Sequence, residues 1–462
     1  MATLPDDVLL DIFDFYRNDF DHTRRAVWKW HVLVHVCRRW RQIIFESPRR
    51  LDLNIYCTCK TPVRKSLGIW PAFPIAVDCL FSSFDDRPGD EDNVLAALEY
   101  PDRVRYLKFD LRLSALRNLV TVTQKPFPVL THLVILSKPD IETLVLPAEF
   151  LGGFAPRLQR VFLRNVAIPA LPTLLATASD LVELQLRRIR RAGHISPTAM
   201  ALCLAQLPRL KVLVIRFQYP IFTPGHTHPP IITQIVLPAL TDFEFTGANE
   251  YLEELVSLID GPRLNRIVIS YLRPVVDFQV VQLCKFFDRS VDPARSPFKH
   301  AKVRLDTHGV TFDMYHPPNH TGTLPARTII SCREIDWRVF HMDQVLRKFA
   351  TMLSNIIDLK LVGWFHKRRL FLADLEWVHV LHQFSTVQAL YVSREFAQCI
   401  TRELKSMTEE MVAKALFSTE LICLEDQPTS EIMTLVAVRQ HSGRPVTVVS
   451  TEAEFDRILE SK

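Results

Sequence analysis

Glycine is scarce in this sequence: 12 of 462 residues are Gly, against 30 Pro. Loops that cradle phosphate groups need clustered glycines, because the backbone must approach the anion closely. The only adjacent pair is Gly152-Gly153, and neither a third glycine nor a Lys-Ser/Thr pair follows it. This shortage argues against a nucleotide-dependent enzyme of the Rossmann or P-loop kind.

Other absences restrict the class of protein further. The nine cysteines are an odd number, so they do not form a disulfide framework. The first residues lack the basic and apolar regions of a signal peptide, and no apolar run approaches the roughly 18 residues that a membrane span needs. The net charge is 56 − 51 = +5, too small to indicate nucleic-acid binding. We expect a soluble protein of the cytoplasm, the nucleus or both, which binds neither membrane nor nucleic acid.

Residues 3–47 carry a helical pattern. Thr3 and Asp6 have capping-box spacing, and apolar residues then recur three and four apart as far as Tyr16. The polar segment 17–23 predicts a loop. A second helical stretch is predicted to follow and to stop at Ser47-Pro48. Its apolar positions are Leu33, Val36, Trp40 and Ile43.

From residue 51 the sequence repeats a strand-like pattern, apolar-x-x-apolar-x-apolar. Seven consecutive copies are spaced by 23 to 30 residues, close to the period of about 20–29 residues in leucine-rich repeats. They begin at Val104, Leu130, Leu158, Leu181, Leu210, Leu240 and Leu264, and two later copies begin at Ile356 and Val387. The usual Asn or Cys of the repeat is missing. The pattern predicts an α/β chain, with a short N-terminal helical domain followed by an irregular leucine-rich-repeat solenoid that has parallel strands on its concave face.

The segments between the strands predict further elements. Short helices are expected at 169–178 and 250–259. The His- and Pro-rich segment 298–325 is expected to be a long loop or a decorated repeat, and the anchor spacing predicts a hidden strand at 328–332, midway between Leu305 and Leu361. Beyond residue 401 the pattern predicts a cap made of a helix, a strand at 421–424, a helix at 430–440 and a strand at 446–449. The predicted domains are 1–50, 51–400 and 401–462.

The N-terminal motifs resemble the F-box. Its elements occur in order within the first 48 residues: Leu4-Pro5, the acidic Asp6, a helix with Leu9, Ile12 and Phe13, the motif Val36-Cys37-x-x-Trp40, and Ser47-Pro48. The connector between the two motifs is longer than in compact F-boxes. The residues after Pro48 and the segment 437–446 also resemble F-box proteins expanded in mushroom-forming (basidiomycete) fungi.

This resemblance implies the substrate-recognition subunit of an SCF-type cullin–RING ubiquitin ligase. The F-box docks on the Skp adaptor, the repeat domain captures the target protein, and partner subunits perform the ubiquitin transfer. The expected adaptor-binding residues are Leu4, Pro5, Leu9, Ile12, Phe13, Leu33, Val36, Cys37 and Trp40. They could instead form the core of the helical unit, although so short a unit cannot bury all of them unaided. The alternative function is a repeat scaffold that binds or inhibits a partner without ubiquitin transfer.

The outward positions of the predicted strands give a candidate target surface. Strand side chains alternate between faces, so the residues between the anchors point away from the core. The chosen residues are Arg160, Phe162, Arg164, Arg187, Val214, Arg216 and Arg266. An apolar centre with an arginine rim resembles a protein-binding surface and predicts an acidic or phosphorylated partner. A solvated sheet, in which β-branched residues and arginines are common, is the alternative.

We expect no catalytic residue, no metal site and no cofactor. His31 and His35 have the spacing of two ligands on one helix face, but no zinc-protease motif surrounds them, and Cys57-x-Cys59 lacks a second pair. The sequence contains neither a Gly-x-Ser-x-Gly elbow nor a paired catalytic carboxylate motif. The chain is therefore predicted not to be an enzyme.

Overall fold

The structure of the protein is a computed structural model. The structure describes residues 4–18, 29–48, 50–51, 53–58, 63–80, 90–111, 117, 119–120, 122–137, 143–220, 234–272, 280–290, 298–306, 309–315, 327–333, 349, 353, 355–364, 386–397, 400–401, 418–425, 433–441 and 443–460. The chain divides into two compact units: unit 1 is 1–194 with 206–210, and unit 2 is 195–205 with 211–462. The predicted domain boundaries after residues 50 and 400 stay predictions.

Unit 1 begins with short helices and continues as alternating strands and helices. The helices are α1 Asp6–Asn18, α2 Lys29–Leu33, α3 Arg38–Glu46, α4 Val63–Ile69, α5 Asp90–Leu98 and α6 Leu171–Thr177. The strands are β1 Ile55–Cys57, β2 Ile75–Leu80, β3 Val104–Leu111, β4 His132–Ser137, β5 Leu144–Val145, β6 Arg160–Arg164, β7 Val166–Ala167 and β8 Glu183–Ile189. The main strands pair in the order β1-β2-β3-β4-β6-β8, all parallel.

Unit 2 continues the same alternation. Its helices are α7 Pro197–Leu204, α8 Asn249–Leu258, α9 Val281–Ser290, α10 Met433–His441 and α11 Glu452–Glu460. Its strands are β9 Val212–Phe217, β10 Ile235–Val236, β11 Asp242–Gly247, β12 Ile259–Asp260, β13 Arg266–Leu272, β14 His300–Asp306, β15 Gly309–Tyr315, β16 Arg327–Arg333, β17 Asp358–Trp364, β18 Ala389–Val392, β19 Leu421–Leu424 and β20 Thr447–Val449. The main strands pair in the order β9-β11-β13-β16-β15-β14-β17-β18-β19-β20, and β15 alone among these described strands is antiparallel to its neighbours. Strands β10 and β12 pair with each other in a separate small sheet.

The repeated strand pattern correctly predicts the strands. All nine copies coincide with a strand, from β3 to β18, and both predicted short helices are present as α6 and α8. Within each strand the anchor residues are buried: in β6, for example, Val161 and Leu163 are 0% and 2% exposed, whereas Arg160 and Arg164 on the other face are exposed. The mixed α/β class with mostly parallel strands is confirmed.

The hidden strand is also confirmed, but its neighbours were wrongly predicted. Strand β16 covers the predicted residues 328–332, yet it pairs with β13 and β15, whereas β14 pairs with β17. The reason is a hairpin: β14 and β15 are too close in sequence for a parallel crossover and so pair antiparallel. Of the two expectations for 298–325, the long loop is wrong where the structure describes the segment, whereas a decorated repeat agrees with the added hairpin. The alternating Val310, Phe312 and Met314, all buried, were the overlooked signal. Residues 316–326 lie outside the described part.

In its described residues, the C-terminal cap contains a helix that was not predicted. Strand β19 matches the prediction, and α10 and β20 lie close to their predicted positions. The helix expected before β19 falls at 402–417, outside the described residues. Helix α11, which follows β20 closely, was not predicted.

The core of unit 2 lies between its strands and the helices that connect them. Phe217 on β9 packs against Tyr251 on α8 with ring centroids 4.8 Å apart, and Phe243 on β11 lies 6.1 Å from Phe286 on α9. Neighbouring helices are linked as well: the Glu253 carboxylate accepts hydrogen bonds from the backbone N–H groups of residues 282 and 283 at 2.8 and 3.0 Å. These bonds satisfy two of the donors left unpaired at the start of α9.

The rare glycine pair forms a tight turn. Leu151, Gly152 and Gly153 all have left-handed backbone angles, with φ of 56°, 60° and 62°. At Gly152 a Cβ atom would lie 2.7 Å from the backbone nitrogen of Pro126, so only glycine fits there without displacing the backbone. The geometry of this turn therefore explains why two adjacent glycines occur here.

Candidate functional site

The first candidate surface is the helical unit formed by α1, α2 and α3. Asp6 and Asp7 lie in the first turn of α1, where negative charge is favoured by the helix dipole. Arg39 on α3 holds this end in place: its guanidinium donates to the Asp6 carboxylate and to the carbonyl oxygen of Leu4, which lies 2.5 Å away. The two F-box-like motifs are therefore directly connected.

The predicted second helical stretch is interrupted. It forms α2 and α3, separated by the turn around Val36. Cys37 has an extended backbone and its Sγ accepts the N–H of Trp40 at 3.5 Å, so it caps α3. A side chain that bonds the free N–H groups of a helix start competes with helix continuation. The predicted stop at Ser47 is correct, since Ser47 is the C-cap residue.

The predicted adaptor-binding residues fall into two groups. Leu9, Phe13 and Leu33 are buried, and the Phe13 ring meets the half-buried Trp40 ring edge-on at 4.8 Å. Leu4, Pro5, Ile12, Val36 and Cys37 are exposed. The first group holds the unit together, and the second is available to a partner.

Further exposed apolar side chains extend this surface. We call the exposed set the helical apolar patch: Leu4, Val8, Ile12, Phe15, Tyr16, Val32 and Val36, which are 38% to 72% exposed. Val8 and Ile12 are four residues apart in α1 and so share one side of the helix, and Leu4 lies two residues before the helix begins. Neither Val8 nor Phe15 belongs to the predicted adaptor-binding set, although Val8 lies four residues before Ile12 and Phe15 three residues after it.

An aromatic cluster joins the helical unit to the segment before β2. Trp30, which is buried, packs against Trp70 at 5.4 Å and Phe73 at 5.8 Å, and Phe45 contacts the same two rings. His31 lies 5.0 Å from the Trp70 ring. Burial, and to a lesser degree the charge of His35, lowers the pKa of His31 from 6.5 to about 4. This is the environment of a neutral histidine in a core, as desolvation disfavours the charged ring.

The aromatic cluster makes a pH dependence of stability testable. Between pH 6.5 and about 4 His31 binds a proton in the unfolded chain but not in the folded one, so the free energy of unfolding falls as the pH drops through this window. We expect the melting temperature to decrease less on acidification in His31→Phe than in the wild type. Melting curves at pH 7 and pH 4.5 test this, with the exposed His441→Phe as the control. Equal slopes for all three proteins would contradict the assignment.

The second candidate surface is the outward face of β4, β6 and β8 in unit 1. Val134, Phe162 and Gln185 are register partners across these strands and are half-buried. At one end Arg160 pairs with Glu183 at 3.6 Å, and at the other Arg164 lies opposite Arg187. The Arg187 guanidinium stacks over the Phe162 ring, 5.1 Å from its centroid. The four residues predicted on this unit therefore share one face.

The predicted residues of unit 2 are arranged differently. Val214 is 4% exposed, so it is not available as a contact residue. Arg216 forms an ion pair with Glu244, which is itself 7% exposed. Arg266 is exposed and lies beside Asp242 in the register. On this face the basic side chains are thus matched by acidic ones.

The remaining histidine and cysteine motifs were considered above as possible metal ligands. No group of three or more potential metal ligands occurs among the residues that the structure describes. The thiol of Cys57 is buried, which raises its pKa to about 12, and Cys59 lies outside the described residues. None of the helices in the described ranges has the length and apolarity needed to cross a bilayer.

Comparison with known proteins does not assign this chain to a family. No protein-family model matches it, and no curated protein is significantly similar. One similar solved structure is the crystal structure of a Bacteroides fragilis protein from a structural genomics consortium, with 11% sequence identity over 76% of each chain and a TM-score of 0.23. A TM-score of this size does not establish a shared fold, so the match assigns neither fold nor function to this chain.

Proposed function

We propose that this protein is the substrate-recognition subunit of an SCF-type cullin–RING ubiquitin ligase, working in the cytoplasm or the nucleus. The observation that carries the proposal is the helical apolar patch. It coincides with the F-box-like motifs: Leu4, Ile12 and Val36 belong to those motifs and are 50%, 44% and 56% exposed. Exposed apolar side chains grouped on short helices are a feature of surfaces that bind a partner.

The division of roles within the helical unit supports this proposal. Buried Leu9, Phe13 and Leu33 form a small core, and this core presents the neighbouring patch as a fixed surface. Helical docking uses apolar anchors at three- and four-residue spacing, which α1 supplies through Val8, Ile12 and Phe15. The Skp adaptor is the proposed partner, and the ubiquitin transfer itself is left to other subunits.

The strands supply the proposed target-binding part. Parallel strands that recur at nearly even spacing, with short helices between them, support an irregular leucine-rich-repeat solenoid. The residues on the outward face of β4, β6 and β8 combine Phe162 with Arg160, Arg164 and Arg187. Such a face suits an acidic or phosphorylated segment of the target, because arginine forms paired hydrogen bonds with carboxylate and phosphate groups.

Adaptor binding is tested best at exposed positions. We expect Ile12→Asp combined with Val36→Asp to reduce binding of a purified Skp adaptor at least about a hundredfold, since truncating an interface anchor alone costs about 2 kcal/mol. Both side chains are exposed, so the fold should be retained. The matched control is Leu202→Asp, an equally exposed aliphatic residue on α7.

Surface plasmon resonance with the full chain gives the measurement. Unchanged adaptor affinity of the double variant would overturn the ligase proposal. If the wild type binds no adaptor at all and yet captures a protein through its strands, the scaffold without ubiquitin transfer becomes the better description.

A further inference from the structure

Helix α11 packs on one face of the last strands of unit 2. In the other strands, the side chains on this face point away from the core. Phe455, which is 1% exposed, packs against Tyr391 on β18 and a cluster that includes Cys423 and Val449. Tyr391, Cys423 and Val449 are register partners on adjacent strands, and they continue the outward row that begins with Lys360 on β17. The chain therefore carries its own example of a segment bound to this kind of face.

The contacts of α11 show what this face recognises. Lys360 projects from β17 and forms ion pairs with Glu452 at 3.0 Å and Asp456 at 2.8 Å. Its ammonium group also lies 5.5 Å from the centroid of the Tyr391 ring and 5.9 Å from that of Phe455. Burial lowers the pKa of Lys360, but the two carboxylates outweigh it and raise that pKa. A cation on the sheet thus binds an acidic segment around an aromatic anchor.

The outward face of β4, β6 and β8 offers the same chemistry. Arg187 stacks on Phe162 at 5.1 Å, as Lys360 lies over the rings of Tyr391 and Phe455. Arg164 stands directly opposite Arg187 in the register, and like charges facing each other on adjacent strands are unfavourable. Arg164 is exposed and forms no ion pair with any residue in the described part of the chain. In unit 2, by contrast, Arg216 is matched by Glu244.

We propose that the face formed by Val134, Phe162, Arg164 and Arg187 binds an acidic segment of another protein, whose carboxylates flank an aromatic side chain. The carboxylates form charge-assisted hydrogen bonds with Arg164 and Arg187, and the aromatic ring packs on Phe162 and Val134. The proposal rests on the proposed function only in taking this sheet as the surface that recruits the target.

A peptide selection on the intact chain tests this inference. A phage-displayed library of random short peptides is selected on the full-length protein, and the best peptide is synthesised and its affinity measured by calorimetry. We expect enriched peptides to carry Asp or Glu on both sides of Phe, Tyr or Trp. Arg164→Glu combined with Arg187→Glu should weaken their binding at least about a hundredfold, because two charge-assisted pairs are lost and like charges then face each other.

The control variant changes the net charge by the same amount at other sites. Arg157→Glu with Arg263→Glu alters two exposed arginines that lie outside the strands, and it should bind the peptide within about threefold of the wild type. Equal losses in both double variants, enriched peptides without the acidic-aromatic pattern, or binding only after phosphorylation would each overturn the inference. Adaptor affinity is measured on the same variants. If adaptor affinity is retained, a negative peptide result concerns this face alone. The ligase proposal concerns the helical apolar patch and would fail only with a loss of adaptor binding.

Discussion

Phe13→Ala is expected to unfold the helical unit while the strands of unit 1 stay folded. Phe13 is 1% exposed and meets Trp40 edge-on, and truncation of a buried Phe costs about 3–5 kcal/mol. A unit of this size has a small core and little stability to lose. Hydrogen exchange followed by mass spectrometry should show rapid exchange at 6–18 and 38–46, and little change in β4 and β6.

The control is Phe15→Ala on the same helix. Phe15 is 72% exposed, so this change should alter stability by no more than about 0.5 kcal/mol. The comparison also bears on adaptor binding. Phe13→Ala, alone or with Trp40→Ala, should abolish that binding by unfolding the surface, whereas Ile12→Asp with Val36→Asp should weaken it with the unit intact. Slow exchange at 6–18 in Phe13→Ala would contradict the assignment of Phe13 to the core.

Phe455→Ala is expected to release α11 and to destabilise unit 2 by about 3–5 kcal/mol, again because a buried ring is lost. The Phe455 ring covers Tyr391, Leu421 and Cys423, which are 3%, 1% and 0% exposed. Burial raises the pKa of Cys423 to about 12, so this thiol is unreactive while the helix is in place. Urea unfolding gives the stability, and alkylation of Cys423, followed by mass spectrometry, reports release of the helix.

Glu454→Ala provides the comparison for this second prediction. Glu454 is exposed on the same helix, and its loss should leave both the urea midpoint and the alkylation rate of Cys423 near the wild-type values. If Phe455→Ala behaves like Glu454→Ala, the ring does not hold the helix on the sheet, and α11 loses its value as an example of how the face binds a segment.

The strands could be predicted from the sequence because their inward residues repeat with a period of two and their anchors are almost evenly spaced. The place of β16 could not be predicted in this way, since spacing along the chain does not tell which strand lies beside which. The break at Cys37 was missed for another reason. Apolar residues keep their helical spacing across it, so the pattern does not show the turn around Val36 or the capping bond from Trp40 to Cys37 that separate α2 from α3.

The candidate surfaces could be predicted only in part. The residue types of the helical unit indicated an amphipathic pair, but periodicity does not separate Phe13, which is buried, from Phe15, which is exposed. Similarly, Val214 and Phe162 occupy equivalent positions in their strands, yet only Val214 is buried. Burial at such positions depends on what covers the face, and that is a tertiary property.

The order of strands around the β14–β15 hairpin constrains when the protein can fold during synthesis. The hydroxyl groups of Ser270 on β13 and Ser331 on β16 are hydrogen-bonded at 2.6 Å, although they are 61 residues apart in the chain. Between neighbouring repeats the separation is shorter: the Thr241 hydroxyl donates to the carbonyl oxygen of Lys211, 30 residues away. Doubling the length of a loop adds about 0.6 kcal/mol to the free-energy cost of closing it. The time during which β13 lacks its partner strand matters more than this cost. The edge of β13 stays open on the ribosome until residue 333 has been made, and an open strand edge invites pairing with other chains. During translation of residues 273–333 a nascent chain of this protein therefore exposes an unpaired strand edge that a chaperone would have to protect.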